Sequence, residues 1–117
     1  MAFRKVVEQL TKPVEELDRE KLRAYCAKLG VTPISEVTPR TPVRVAGEVH
    51  AVRIVPRAGA PAVEVTVTDG DDSVTAVFLG RRKIAGVSPG RRVLLDGVVA
   101  LDGRRLLVYN PRYELLT

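Results

Sequence analysis

Valine at every second position is the feature that most constrains this chain. Val63, Val65 and Val67 alternate with Glu64, Thr66 and Thr68. A side-chain period of two belongs to a strand with one face buried and the other wet. The same alternation runs through Val43, Val45, Gly47 and Val49, set against Arg44, Ala46, Glu48 and His50, and continues through Val52 and Ile54 after a change of parity near Ala51. A long strand with an internal glycine and a parity change predicts a bent strand carrying a bulge. Val74, Ala76 and Phe78 alternate with Thr75, Val77 and Leu79 in a third strand. Residues 92–101, with Gly97 inside, and residues 104–109 predict a fourth and a fifth.

Glycine supplies the punctuation. Eight of the nine glycines lie after residue 38, and only Gly30 precedes it. RAGAP at 57–61 predicts a loop, DGDD at 69–72 a tight turn, and Asp102-Gly103 a hairpin turn. GRRKIAGVSPG at 80–90 breaks the alternation and predicts a loop holding a short helical turn. Asn110-Pro111 ends the fifth strand, and residues 113–116 predict a short extended tail.

The first 37 residues follow a different period. Phe3, Val6, Val7 and Leu10 fall on one helical face, and Pro13 interrupts that run or opens a second helix. Residues 14–29 contain no Gly or Pro and predict helix, with Leu22, Cys26 and Leu29 as its apolar stripe and Gly30 as its stop. Asp18 is an alternative cap for a shorter helix. One kinked helix and two separate helices both fit. Residues 31–42, with Pro33, Pro39 and Pro42, predict an extended connector.

These elements give a mainly β chain with an N-terminal helical part. A helical segment over 1–37 packs on the barrel or on a partner, and a β domain occupies 38–117. Five strands, the first long and bent, with a break between the third and fourth, match a five-stranded Greek-key OB-fold barrel preceded by one or two helices. A five-stranded SH3-like barrel is the competing architecture.

Charge points to an anionic partner. The chain carries 19 Lys+Arg against 14 Asp+Glu, a net +5. Residues 38–117 hold 12 of these bases and 8 acids, a net +4. Arg outnumbers Lys 14 to 5; this suits bidentate phosphate contacts, though GC-rich coding produces the same bias. One Cys and one His exclude a disulfide framework and a Cys/His metal cluster within one chain. No apolar run reaches the roughly 20 residues of a membrane span. The N-terminus shows no export signal, so a cytoplasmic protein without membrane contact is expected.

The stretches VTDGDDSVTAVFLGRRKIAGVSPGRRV (67–93) and VYNPRYELL (108–116) resemble the small OB-fold nucleic-acid-binding proteins of actinobacteria. More remotely, the closing NPRYE is similar to the wedge OB domain of branch-migration DNA helicases. The resemblance implies an OB barrel of DNA-facing ancestry. The helicase motor is absent, and the sequence contains no GxxxxGK[ST] phosphate loop. Strand 3 ends in Phe78-Leu79, where the helicase pattern often has two aromatics. Leu79 therefore occupies a position suited to a stacking ring.

OB domains bind single strands across strands 2 and 3, flanked by the loops joining strands 1–2 and 4–5. Thr66, Thr68, Thr75 and Val77 fall on that face, with Glu64 as an unhelpful carboxylate. Arg53 lies near the end of strand 1, Arg57 in the first flanking loop and Arg104 in the second. Arg81, Arg82 and Lys83 follow strand 3 directly. Tyr109 either stacks on a base or covers the barrel, with packing favoured. Tyr113 is expected to clamp the tail through its ring, its hydroxyl finding a partner.

Asp69, Asp71 and Asp72 read as turn residues; an EF-hand counted from Asp69 would need a carboxylate where Gly80 stands. His50 has no Cys or carboxylate at catalytic spacing, and Cys26 reads as buried and inert. No nucleophile–base pair is recognisable. The expectation is a non-catalytic binder of single-stranded or structured DNA, with RNA as an option, no cofactor and no metal. A protein-interaction adaptor built on the barrel is the alternative, and a homodimer through the N-terminal helices a further option.

Overall fold

The computed structural model describes residues 14–117. The helical face of Phe3, Val6, Val7 and Leu10, and the break at Pro13, lie outside the described residues. Helix α1 (Val14–Ala27) is followed by a 3-10 turn (Ile34–Glu36) and six strands. These are β1 (Pro42–Arg57), β2 (Ala60–Thr68), β3 (Ser73–Leu79), β4 (Arg92–Asp102), β5 (Arg105–Tyr109) and β6 (Arg112–Leu115).

Five strands close into a ring in the order β1-β2-β3-β5-β4, with β4 pairing back onto β1. Only β3 and β5 run parallel. This is the ring of an OB barrel, preceded among the described residues by one helix. Strand β1 makes closure possible because it belongs to two pairs. Residues 42–48 pair with β4, and residues 48–57 pair with β2. Gly47 sits where the strand changes partner: a Cβ there would stand 2.3 Å from the Thr68 carbonyl oxygen. The register then slips between Val49 and Ala51, leaving His50 as the bulged residue. The bend and parity change expected from the sequence are both present.

The inward positions are filled chiefly by valine. Val45, Val49, Val63, Val65, Val67, Val74, Val93, Val99 and Val108 join Ala76, Phe78 and Leu95 in one core. Branched side chains suit a narrow barrel because they fill the pleat with little loss of rotamer freedom.

Four expectations need correction. Residues 80–90 form no helix. Turns close from Val87 N–H to the Ile84 carbonyl and from Arg91 N–H to the Ser88 carbonyl, with left-handed backbone at Gly86 and Gly90. Ile84 itself enters the core. The connector is not wholly extended: its 3-10 turn buries Ile34 in the same core, and Ile34 N–H donates to Asp69 Oδ2 at 3.0 Å. The 57–61 loop shrinks to Ala58-Gly59, with φ of 51° and 79°, the geometry that matches strand twist in a two-residue hairpin. The tail is a true strand, since β6 pairs with β4 from Val93↔Leu115 to Asp96↔Arg112.

Helix α1 runs through Asp18, so the shorter helix is not formed. It places Leu22 and Cys26 against Ala46, with Tyr25, Val31 and Leu116 alongside, while Leu29 stays exposed. Arg23 pairs with Asp71 at 2.9 Å. The Tyr25 hydroxyl donates to the Thr117 carbonyl at 2.9 Å, and the Arg92 guanidinium lies 4.2 Å from the Tyr25 ring centroid. Burial, together with the nearby Asp69 charge, pushes the Cys26 thiol up, against the pull of Arg92. It is therefore a protonated packing group that donates to the Ala46 carbonyl.

Candidate nucleic-acid interface

Register alone assembles a continuous outward face. Ala51, Thr66, Thr75 and Leu107 lie opposite one another on β1, β2, β3 and β5. The next row is Arg53, Glu64, Val77 and Tyr109. Thr68 pairs with Ser73 at one end, and Ala62 with Leu79 at the other. Strand parity thus puts Thr66, Thr68, Thr75 and Val77 on the side the sequence predicted, but Thr75 and Val77 are buried there and Thr66 and Thr68 half-buried.

Glu64 is the hub of this face. Its Oε2 accepts from Arg57 Nη2 at 3.1 Å, and its Oε1 accepts from Arg105 Nη2 at 3.0 Å. Arg53 Nη2 lies 3.9 Å from Oε1. Arg57 also donates from Nη1 to the Tyr109 hydroxyl at 3.1 Å, its guanidinium carbon 5.6 Å from that ring's centroid. Glu64 and Tyr109 flank Val77 in the same row, so the Arg57 side chain bridges β3 at Val77. Val77, Ala62 and Leu107 form a small buried cluster on this side. Tyr109 lies opposite Val77 on this side, its hydroxyl held by Arg57 and its ring exposed.

Three cations surround one carboxylate, leaving the cluster at a net +2. Burial pushes Glu64 up, but the hydrogen bonds and charges of Arg57 and Arg105 outweigh it and hold the carboxyl below its ordinary value. The hydrogen bond to Glu64 keeps Arg57 still more firmly protonated. Its Nε is buried without a hydrogen-bond partner among the described residues.

The other predicted bases are placed less centrally. Arg57 lies in β1 rather than in a loop. Arg81, Arg82 and Lys83 are exposed just beyond β3, at the end where Gly80 N–H donates to the Pro61 carbonyl. Arg104 is exposed in the β4–β5 turn, at the opposite end of β5 from Tyr109. The face thus gathers Arg53, Arg57, Thr66 and Thr75, while the basic triplet and Arg104 flank it from two ends. Arg105 was missed. Its signal was parity, because it shares an outward phase with Leu107 and Tyr109.

Tyr113 does clamp the final strand. Its ring meets Phe78 edge-on at 5.8 Å, and its hydroxyl donates to the Ala85 carbonyl at 3.3 Å. The Asp69 turn uses its carboxylate on backbone: Oδ1 accepts from Asp71 and Asp72 N–H, and Oδ2 accepts from Ile34 N–H.

Residues 43–116 match the OB-fold nucleic acid binding domain family, tRNA anti-codon type. The chain belongs to this family. Two solved OB-fold structures are similar. OBody AM1L10, bound to hen egg-white lysozyme, aligns at TM-score 0.58 and 21% identity over 74% of this chain and 90% of its own. OBody AM3L15, also bound to hen egg-white lysozyme, aligns at 0.57 and 19% over 74% and 88%. At that identity the likeness establishes the OB fold. No curated protein sequence matches. No helix among the described residues is long and apolar enough to cross a membrane.

Proposed function

We propose that this OB-fold domain binds single-stranded or structured DNA through backbone phosphates, with little sequence preference, and acts by binding rather than by catalysis. The observation that carries this reading is the convergence of Arg53, Arg57 and Arg105 on the β1–β2–β3–β5 face at net positive charge. Membership of a nucleic-acid-binding family supports the polymer class. The likeness of NPRYE to the helicase wedge domain favours DNA over RNA. With Tyr109 the one aromatic ring in the paired rows, phosphate contacts dominate over stacking, so affinity is modest and salt-sensitive.

Fluorescence anisotropy with labelled single-stranded, forked and duplex DNA, and with RNA, tests the reading. Affinity should fall steeply with salt. No binding at about 50 mM salt with tens of micromolar protein would sink it. Replacing Arg81, Arg82 and Lys83 by Ala should weaken binding about tenfold at low salt while circular dichroism and melting stay unchanged.

A second reading, a protein-interaction adaptor, draws on the OBody structures, in which an OB-fold chain holds a protein. A pull-down that retains one protein partner after nuclease treatment would favour it.

A further inference from the structure

Glu64 is out of place on a phosphate-binding face. A carboxylate there repels the ligand, and it is only 5% exposed. Burying an unpaired carboxylate is costly, and here the cost is offset by arginines from two other strands. Arg53 and Arg57 come from β1, and Arg105 from β5. Each guanidinium turns Nη2 toward Glu64. Nη1 of Arg53 and of Arg105 makes no hydrogen bond among the described residues, and those two side chains are 68% and 48% exposed. Arg53 and Arg105 can face the carboxylate through Nη2 and still donate from Nη1 to a phosphate, so neither anion is left unpaired. An arginine loses much rotamer freedom when it is fixed on a ligand. For Arg57 and Arg105 that ordering is already present in the free protein.

We infer that Glu64 is a positioning residue for phosphate recognition: it holds Arg57 and Arg105 in ligand-ready geometry beside Arg53, so removing its charge weakens nucleic-acid binding even though the protein becomes more positive. This rests on the nucleic-acid reading above. Simple electrostatics gives the opposite sign, which makes the inference decidable.

The test is Glu64→Gln, measured by anisotropy with a dye-labelled single-stranded oligonucleotide over a series of salt concentrations. Affinity should fall about five- to tenfold, the scale expected when a charge-assisted hydrogen bond gives way to disorder. The salt slope should become shallower by about 0.7 for each phosphate that is no longer neutralised. Binding as tight as wild type, or tighter, overturns the inference. Should Glu64→Gln fail to fold, Tyr109→Phe decides. It keeps the ring and the charge but removes the oxygen that holds Arg57, and affinity should fall about twofold. Unchanged affinity in that variant overturns the inference.

NMR of the guanidinium groups separates this claim from the nucleic-acid reading. Wild-type Arg57 and Arg105 should give resolved, slowly rotating signals that average out in Glu64→Gln. If wild type binds no nucleic acid but shows those signals, the nucleic-acid reading fails and the positioning by Glu64 stands. If the wild-type signals are already averaged, the positioning fails.

Discussion

The two sides of β2 and β3 are built from the same alternation and held by different forces. Inward, Val63, Val65, Val67, Val74, Ala76 and Phe78 meet in a dry core. Outward, Glu64 and Val77 share a row with Arg53 and Tyr109, and Thr66 and Thr75 share one with Ala51 and Leu107. The inner side is governed by volume and dehydration, and the outer side by the pairing of charge. Burial alone does not separate them, since Val77 is fully inaccessible and Glu64 is buried as Phe78 is. What differs is whether a polar atom has a partner.

The largest expected contrast comes from placing a charge on each side. Val65→Asp puts an unpaired carboxylate among valines and should cost more than about 4 kcal/mol, a large part of a small domain's stability. Chemical denaturation would show it, and a well-folded Val65→Asp protein would erase the distinction between the sides.

Glu64→Ala comes next, with an expected loss of about 1–2 kcal/mol. That is below the range for a fully buried pair because Arg53 and Arg105 stay solvated. The loss should depend on pH with a definite sign. Glu64's folded value is depressed, so its contribution is fully present above the unfolded carboxyl value, about 4.3, and is lost as pH falls through the folded one. Stability profiles of wild type and Glu64→Ala should therefore converge in acid; a constant gap down to about pH 2 would refute the charge-pairing account. The smallest effect belongs to Thr66→Val. The half-buried outward hydroxyl should be replaceable within about 0.5 kcal/mol by the same denaturation measurement.

The strands were legible because their signal is local. Valine alternation and glycine-bearing turns write β1 through β5 within a few residues of their observed bounds, and even the bulge near Ala51 shows as a parity change. The helical turn expected at 80–90 did not form, because Gly86 and Gly90 close turns while Ile84 is buried and Val87 packs beside it. Ile34 was invisible for a related reason. A single apolar residue in a proline-rich connector has no period, and its backbone N–H finds its acceptor on Asp69, 35 residues away. On the face, parity placed Glu64 correctly but could not show its role. That role depends on Arg105, which reaches it only because β5 joins β3 in parallel, a pairing that local pattern does not encode.

The double membership of β1 has a mechanical consequence. Its first half closes the ring against β4, its second half carries the arginine-bearing hairpin, and Gly47 joins them with no intervening loop. The hairpin cannot swing as an independent finger without pulling on the seam of the barrel. Any displacement of the hairpin at Arg53 or Arg57 therefore runs along one continuous strand into the β1–β4 seam.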